Sequence, residues 1–195
     1  MKHGISKSAA AFLIFGLGAC ARNEPPSPEK PASPFRLTAT IQDIMDSEID
    51  PAADFLWNAV GSTTTAAGSE DRQPRSEEQW QAVRRSAITL TEAPNLLVME
   101  GREVAAKANK LEDSGTPGIA TPDEIRRAID QNRKTFVELA MGLQKAGLQA
   151  LAATDAKNVD SLMEAGARID EACEACHLHY WYPNAPRPPV PPNTP

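Results

Sequence analysis

The chain has 195 residues, and its 20 Lys and Arg against 26 Asp and Glu give a formal net charge of −6. That balance excludes a phosphate-tracking nucleic-acid binder, which needs clustered positive charge, and no nucleic-acid partner is expected. Hydrophobic residues at 41% and charged residues at 24% are globular values, and 3 cysteines are too few for a disulfide framework.

Lys2 and Lys7 precede an unbroken run of apolar and small residues over 9–18. A positive segment followed by an apolar one too short to span a bilayer predicts an export signal over 1–19. The run ends in Leu17-Gly18-Ala19-Cys20, which resembles the lipobox of bacterial lipoproteins. That resemblance implies cleavage before Cys20 and lipid on its thiol and new amino terminus. The mature protein is then expected on the periplasmic side of a bacterial membrane, with the membrane a partner through the lipid anchor. An ordinary export signal with Cys20 incidental is the alternative. Residues 20–36 include Pro25, Pro26, Pro28, Pro31 and Pro34 and read as a proline-rich linker in extended conformation.

Helical periods then dominate 37–182, and no convincing period-2 strand stands out. The first helix, about 38–60, carries Ile41, Ile44, Met45 and Ile49 on one stripe. Asp50-Pro51 is expected to interrupt and restart it, with Asp50 as cap. Residues 61–75 read as a loop. Ser76 and Gln79 form a capping box before Trp80, Val83, Ala87, Leu90 and Leu97, with Pro94 expected to kink or interrupt that helix near its middle. Residues 110–120 read as a second loop. Thr121-Pro122-Asp123-Glu124 is a second capping box, opening a helix with Ile125, Ile129, Phe136, Leu139, Leu143, Ala146 and Ala150 on one face and Asn132 in the seam. The last helix carries Val159, Leu162, Gly166, Ile169, Cys173, Cys176 and Tyr180 at alternating steps of three and four. The fold expected is all-α, an antiparallel four-helix bundle whose C-terminal helix binds haem. Residues 183–195 read as a proline-rich tail, extended or docked in a polyproline-reading groove.

Cys173-Glu174-Ala175-Cys176-His177 carries the chemistry. Two thiols three positions apart on a helix suit thioethers to the two vinyl groups of haem, and the next imidazole suits the iron. Chance alone gives on the order of 10⁻³ such matches in a chain of this composition. Other readings remain open. A zinc site from Cys173, Cys176, His177 and His179 has the right ligand types, but all four lie within seven residues of one helix. A Cys173–Cys176 disulfide would staple almost nothing, and a thioredoxin-like pair needs a strand-to-helix context.

From these residues, their late position and the helix count, the stretch 37–182 resembles the class II c-type cytochromes, the cytochrome c′-like family. The position four after the haem histidine, commonly Arg or Lys in that family, is Trp181 here. The resemblance implies one covalent haem c on Cys173 and Cys176, His177 as proximal iron ligand, and a first-helix residue over the other face of the iron. Met45 is the leading residue for that sixth position, with a core-filling role as the alternative. The function expected is one-electron transfer to redox partner proteins rather than enzymatic turnover. A five-coordinate haem protein binding nitric oxide or carbon monoxide is the second reading, favoured if Met45 is no ligand. A homodimer through helix faces is left open by the same resemblance.

Overall fold

The computed structural model describes residues 35–107 and 110–186. The export signal, Cys20, almost all of the linker and most of the proline-rich tail therefore lie outside the described residues. Contacts divide the chain into two units, Met1–Phe35 and Arg36–Pro195. The second unit holds every described helix and strand, and it is mostly helical. Among the described residues no helix is long and apolar enough to cross a membrane.

Helix α1, Ile41–Ile44, opens on a capping box in which Thr40 Oγ1 accepts from the Asp43 amide at 3.1 Å and Asp43 accepts from the Thr40 amide at 2.8 Å. The Glu103 and Val104 carbonyls accept from the Ile41 and Gln42 amides, satisfying two more of the donors that a helix start leaves orphaned. The chain does not break at Asp50-Pro51. It runs through a π-helical turn, Met45–Ile49, into α2, Asp50–Ala59. Asp50 is no cap: its dihedrals are helical, and its amide donates to the Met45 carbonyl. The reason lies in Pro51, which lacks an N–H and crowds the carbonyl four residues back. The wider i to i+5 turn just before it accommodates that ring without ending the helix.

Residues 61–75 are not all loop. Strands β1, Gly61–Thr65, and β2, Gly68–Arg72, pair antiparallel with Gly61 opposite Arg72 and Thr65 opposite Gly68. Both faces of this hairpin are wet, so no inside-outside alternation marks it in the sequence. Its signals are the β-branched Thr63, Thr64 and Thr65 and a two-residue turn followed by Gly68 at φ +130°.

Helix α3, Glu77–Leu97, starts on the expected Ser76–Gln79 capping box and buries Trp80, Val83, Ala87, Leu90 and Leu97. Pro94 lies in its last turn rather than its middle, and the helix stops at Leu97. The third expected helix is two. Helix α4, Pro122–Gln131, carries the expected Thr121–Glu124 box; at Asn132 the backbone leaves helical space (φ −143°, ψ 68°), and the Asn132 side chain caps α5, Arg133–Asp155, through the Thr135 amide at 3.2 Å. Helix α6, Val159–Tyr180, is capped by Asn158.

Helix α3 packs along α5 and α5 along α6, while α2 lies against α3 and α6. The core joins Ile44, Ile49 and Leu56 to Leu90, Ile129, Leu162 and Ile169. Fully burying each such side chain contributes about 1.5–3 kcal/mol. Arg102, only 4% exposed, ties the start of the fold to the end of α3: its Nε donates to the Leu96 carbonyl at 2.7 Å and its Nη1 to the Ala39 carbonyl. Its own carbonyl accepts from Arg126 at 2.8 Å.

Candidate functional site

The last turns of α6 place the motif at the edge of the core. Leu162, Ile169 and Tyr180 of its stripe are buried, and Cys173 and Cys176 are half-buried against them. Both thiols are free of any disulfide. Burial pushes Cys173 up to about 12, with the nearby Asp50 charge adding to the shift, and burial alone pushes Cys176 up to about 11. Burial thus favours the neutral thiol over the thiolate at both positions. Among the described residues no group of three or more His, Cys, Asp or Glu is gathered to hold a metal ion. The four-ligand zinc arrangement is not assembled.

His177 is half-buried in the final turn. Burial lowers its pKa, opposed by Glu174, which keeps the imidazole neutral and able to offer a nitrogen lone pair at neutral pH. Trp181 meets its ring edge-to-face at 5.0 Å between centroids, and Tyr182 at 6.0 Å. Both aromatic residues also fold back through their amides, which donate to the His177 carbonyl at 2.8 and 2.9 Å. Tyr182 donates its hydroxyl to Glu174. Trp181 and Tyr182 therefore close the end of α6 around the histidine.

A cleft opens beside them, walled by Ile41, Met45 and Asp50 from the first helix, Val104 and Leu111 from the long connection, Ile125 and Ile129 from α4, Phe136 from α5, and Cys176, His177, Tyr180 and Trp181 from α6 and its cap. Its free space is about 120 Å³ and open at the mouth, a slot smaller than the roughly 300–1,000 Å³ of most ligand clefts. A smaller cavity of about 20 Å³ adjoins it, sharing Met45, Asp50, Cys176 and His177 and adding Cys173, Ile49 and Leu143. The fold thus gathers Met45, Cys173, Cys176 and His177 around two spaces that share walls. Met99, Met141 and His179 line neither; the Met99 sulfur accepts from Arg102 at 3.2 Å, and His179 stacks edge-on with Tyr180.

Comparison with family models, with curated proteins and with solved structures finds no match. The functional reading rests on the chemistry of the site itself.

The donor set suits a haem on three counts. The walls are largely apolar, a neutral imidazole and a thioether face the same space, and two thiols stand one helical turn apart beside it. Nothing in the sequence points to the acidic side of the cleft, formed by Asp46, Asp50 and Glu112. Desolvation raises the Asp50 pKa, reinforced by Asp46, Asp54 and Glu112. No periodicity marks these three as a group, because they come from two segments that only the fold brings together. By sequence, Arg84-Arg85 and Arg126-Arg127 read equally as solvated faces or as partners for haem carboxylates. Arg84 instead pairs with Asp155 at 2.6 Å and Arg126 with Asp130 at 3.1 Å.

A second, open groove of about 350 Å³ runs between α2 and α6, lined by Leu56, Trp57, Val60, Met163 and Gly166. Trp57 Nε1 donates to the Gly166 carbonyl at 3.0 Å across it. It holds none of the motif residues.

Proposed function

We propose that this chain is a lipid-anchored, exported monohaem c-type cytochrome of the class II type, carrying one electron at a time at the periplasmic side of a bacterial membrane. In this reading the α1–α2 helix, α3, α5 and α6 act as the four helices of an antiparallel bundle, and Cys20 carries the lipid. The observation that supports it most is the convergence of Met45 with Cys176 and His177 on one apolar cleft, although Met45 is remote from them in the chain.

Each residue has a distinct task. Cys173 and Cys176 would hold the group through two thioethers, each S–H adding across a vinyl double bond with nothing leaving. His177 offers a nitrogen lone pair, held by the α6 C-terminus and the Trp181 ring. Met45 would offer a thioether from the first helix, a ligand type that raises a haem potential. Ile125, Ile129 and Phe136 exclude water, which lowers the polarity around a charge that changes by one. The group itself supplies the one-electron iron couple when bound.

A five-coordinate, gas-binding haem protein is the second reading. Met45 is packed against the hydrophobic core together with Ile41 and Ile49, and a methionine engaged only in packing would leave a small apolar space for nitric oxide or carbon monoxide.

Expression with a c-type haem maturation system tests the shared part of both readings. Expected is haem that stays with the polypeptide after acid-solvent extraction and is lost from Cys173→Ala/Cys176→Ala. A protein that folds and is exported without covalent haem would sink both.

A further inference from the structure

Within the cytochrome reading, we propose that Tyr180 and Trp181 hold the carboxylate side chains of the haem, through the tyrosine O–H and the indole Nε1–H. Four buried side-chain polar atoms have no hydrogen-bond partner among the described residues: Gln42 Oε1, Arg126 Nε, Tyr180 Oη and Trp181 Nε1. Three of the four belong to residues that line the cleft with Cys176 and His177. Buried polar groups are almost always satisfied, so unpaired polar atoms on residues that line one cleft point to a ligand that satisfies them.

The chemistry of the orphans selects the ligand group. An indole Nε1–H only donates. Tyr180 is 5% exposed, and burial pushes its pKa up to about 12, which keeps its hydroxyl protonated and able to donate. Two donors on consecutive residues, three and four positions past His177, suit an anionic acceptor beside the imidazole. Gln42 Oε1 is an acceptor, its amide nitrogen already donating to the Lys110 carbonyl at 3.1 Å, and it takes no part.

Electrostatics agrees on orientation. Asp46, Asp50 and Glu112 also line the cleft, and their charge repels carboxylates and favours the neutral donors of α6 as the place that holds them. Among the described residues no arginine lines the cleft, and Arg126 and Arg84 pair with Asp130 and Asp155. Trp181 thus stands where a cation is usual in the resembled family and offers a neutral donor instead.

The test compares matured wild-type protein with Tyr180→Phe and Trp181→Phe. Phe at 180 keeps the edge-to-face contact that Tyr180 makes with Phe136 at 5.6 Å, and Phe at 181 keeps a ring against His177, so both variants retain their packing. Resonance Raman of the haem carboxylate bending bands is the readout, with the midpoint potential beside it. Expected are a shift of a carboxylate band in each variant and a lower potential, because a carboxylate without its donor presents more negative charge to the iron. Covalent haem with bands and potential unchanged in both variants would overturn this inference and leave the cytochrome reading standing. Absence of covalent haem from the wild type would overturn both.

Discussion

The contact between α3 and α5 and the cleft at the end of α6 solve opposite problems with the same helices. At the first, small residues bring backbones together: Gly147 lies so close to α3 that a Cβ there would meet Thr91 Oγ1 at 2.8 Å and the Thr91 backbone at 3.1 Å. Ala87 and Ala150 beside it are fully buried, and Thr91 satisfies its own hydroxyl on the Ala87 carbonyl at 2.7 Å. At the second, the large side chains Phe136, Tyr180, Trp181 and Met45 ring an open space and leave polar atoms without partners. Close packing with every polar group met is what a region needs for stability alone. Space walled by apolar groups, with unmet donors in it, is what a region needs to hold something else.

Gly147→Leu should have the largest effect, about 3 kcal/mol of lost stability, because the clash is with backbone that cannot swing away. Chemical denaturation would measure it, and a loss below about 1 kcal/mol would mean α3 and α5 are not locked at this point. Arg102→Met should cost about 2 kcal/mol in the same assay by leaving the Leu96 and Ala39 carbonyls without their donor. Leu111→Phe, an enlargement on the cleft wall, should cost less than about 1 kcal/mol before haem is attached, since it grows into open space, yet should reduce the yield of covalent haem. Equal costs at 147 and 111 would erase the contrast between the two regions.

The smallest effect concerns pH. Burial lowers the His177 pKa below its ordinary 6.5, so the unfolded chain takes up the proton first. The stability associated with neutral His177 is therefore present above about pH 6.5 and is lost as pH falls through the lower folded value. The wild-type polypeptide without haem should lose stability as pH falls below about 6.5, while His177→Gln should lack that step. An identical pH profile in the variant would place the imidazole in a more solvated setting than the cleft provides.

How much of this could be read from residue order depends on how local each signal is. Capping boxes at Ser76 and Thr121 are complete within four residues, and the α6 stripe needs only its own period, so both were legible, as was the motif Cys173, Cys176 and His177. The break at Asn132 was not, because Ile129 and Phe136 stand seven residues apart and stay in phase across it as though one helix ran through. The hairpin stayed hidden since water covers both its faces, and the π-turn because Pro51 signals a break that a wider turn absorbs. Met45 could be placed on an inward stripe, but its meeting with His177, like the acidic side made by Asp46, Asp50 and Glu112, depends on how separate segments pack. Arg102 lies in a connection with no period at all, and only its buried bonds to Leu96 and Ala39 reveal its part.

The meeting of Met45 with His177 is most directly tested by optical spectra of the matured protein, ferric and ferrous, beside Met45→Ala. A low-spin wild type whose methionine-to-iron charge-transfer band disappears in the variant is the result expected of an electron carrier with both residues on one iron. A high-spin spectrum unchanged by the substitution, with ready carbon monoxide binding, would contradict it and leave Met45 as a packing residue in a gas-binding site.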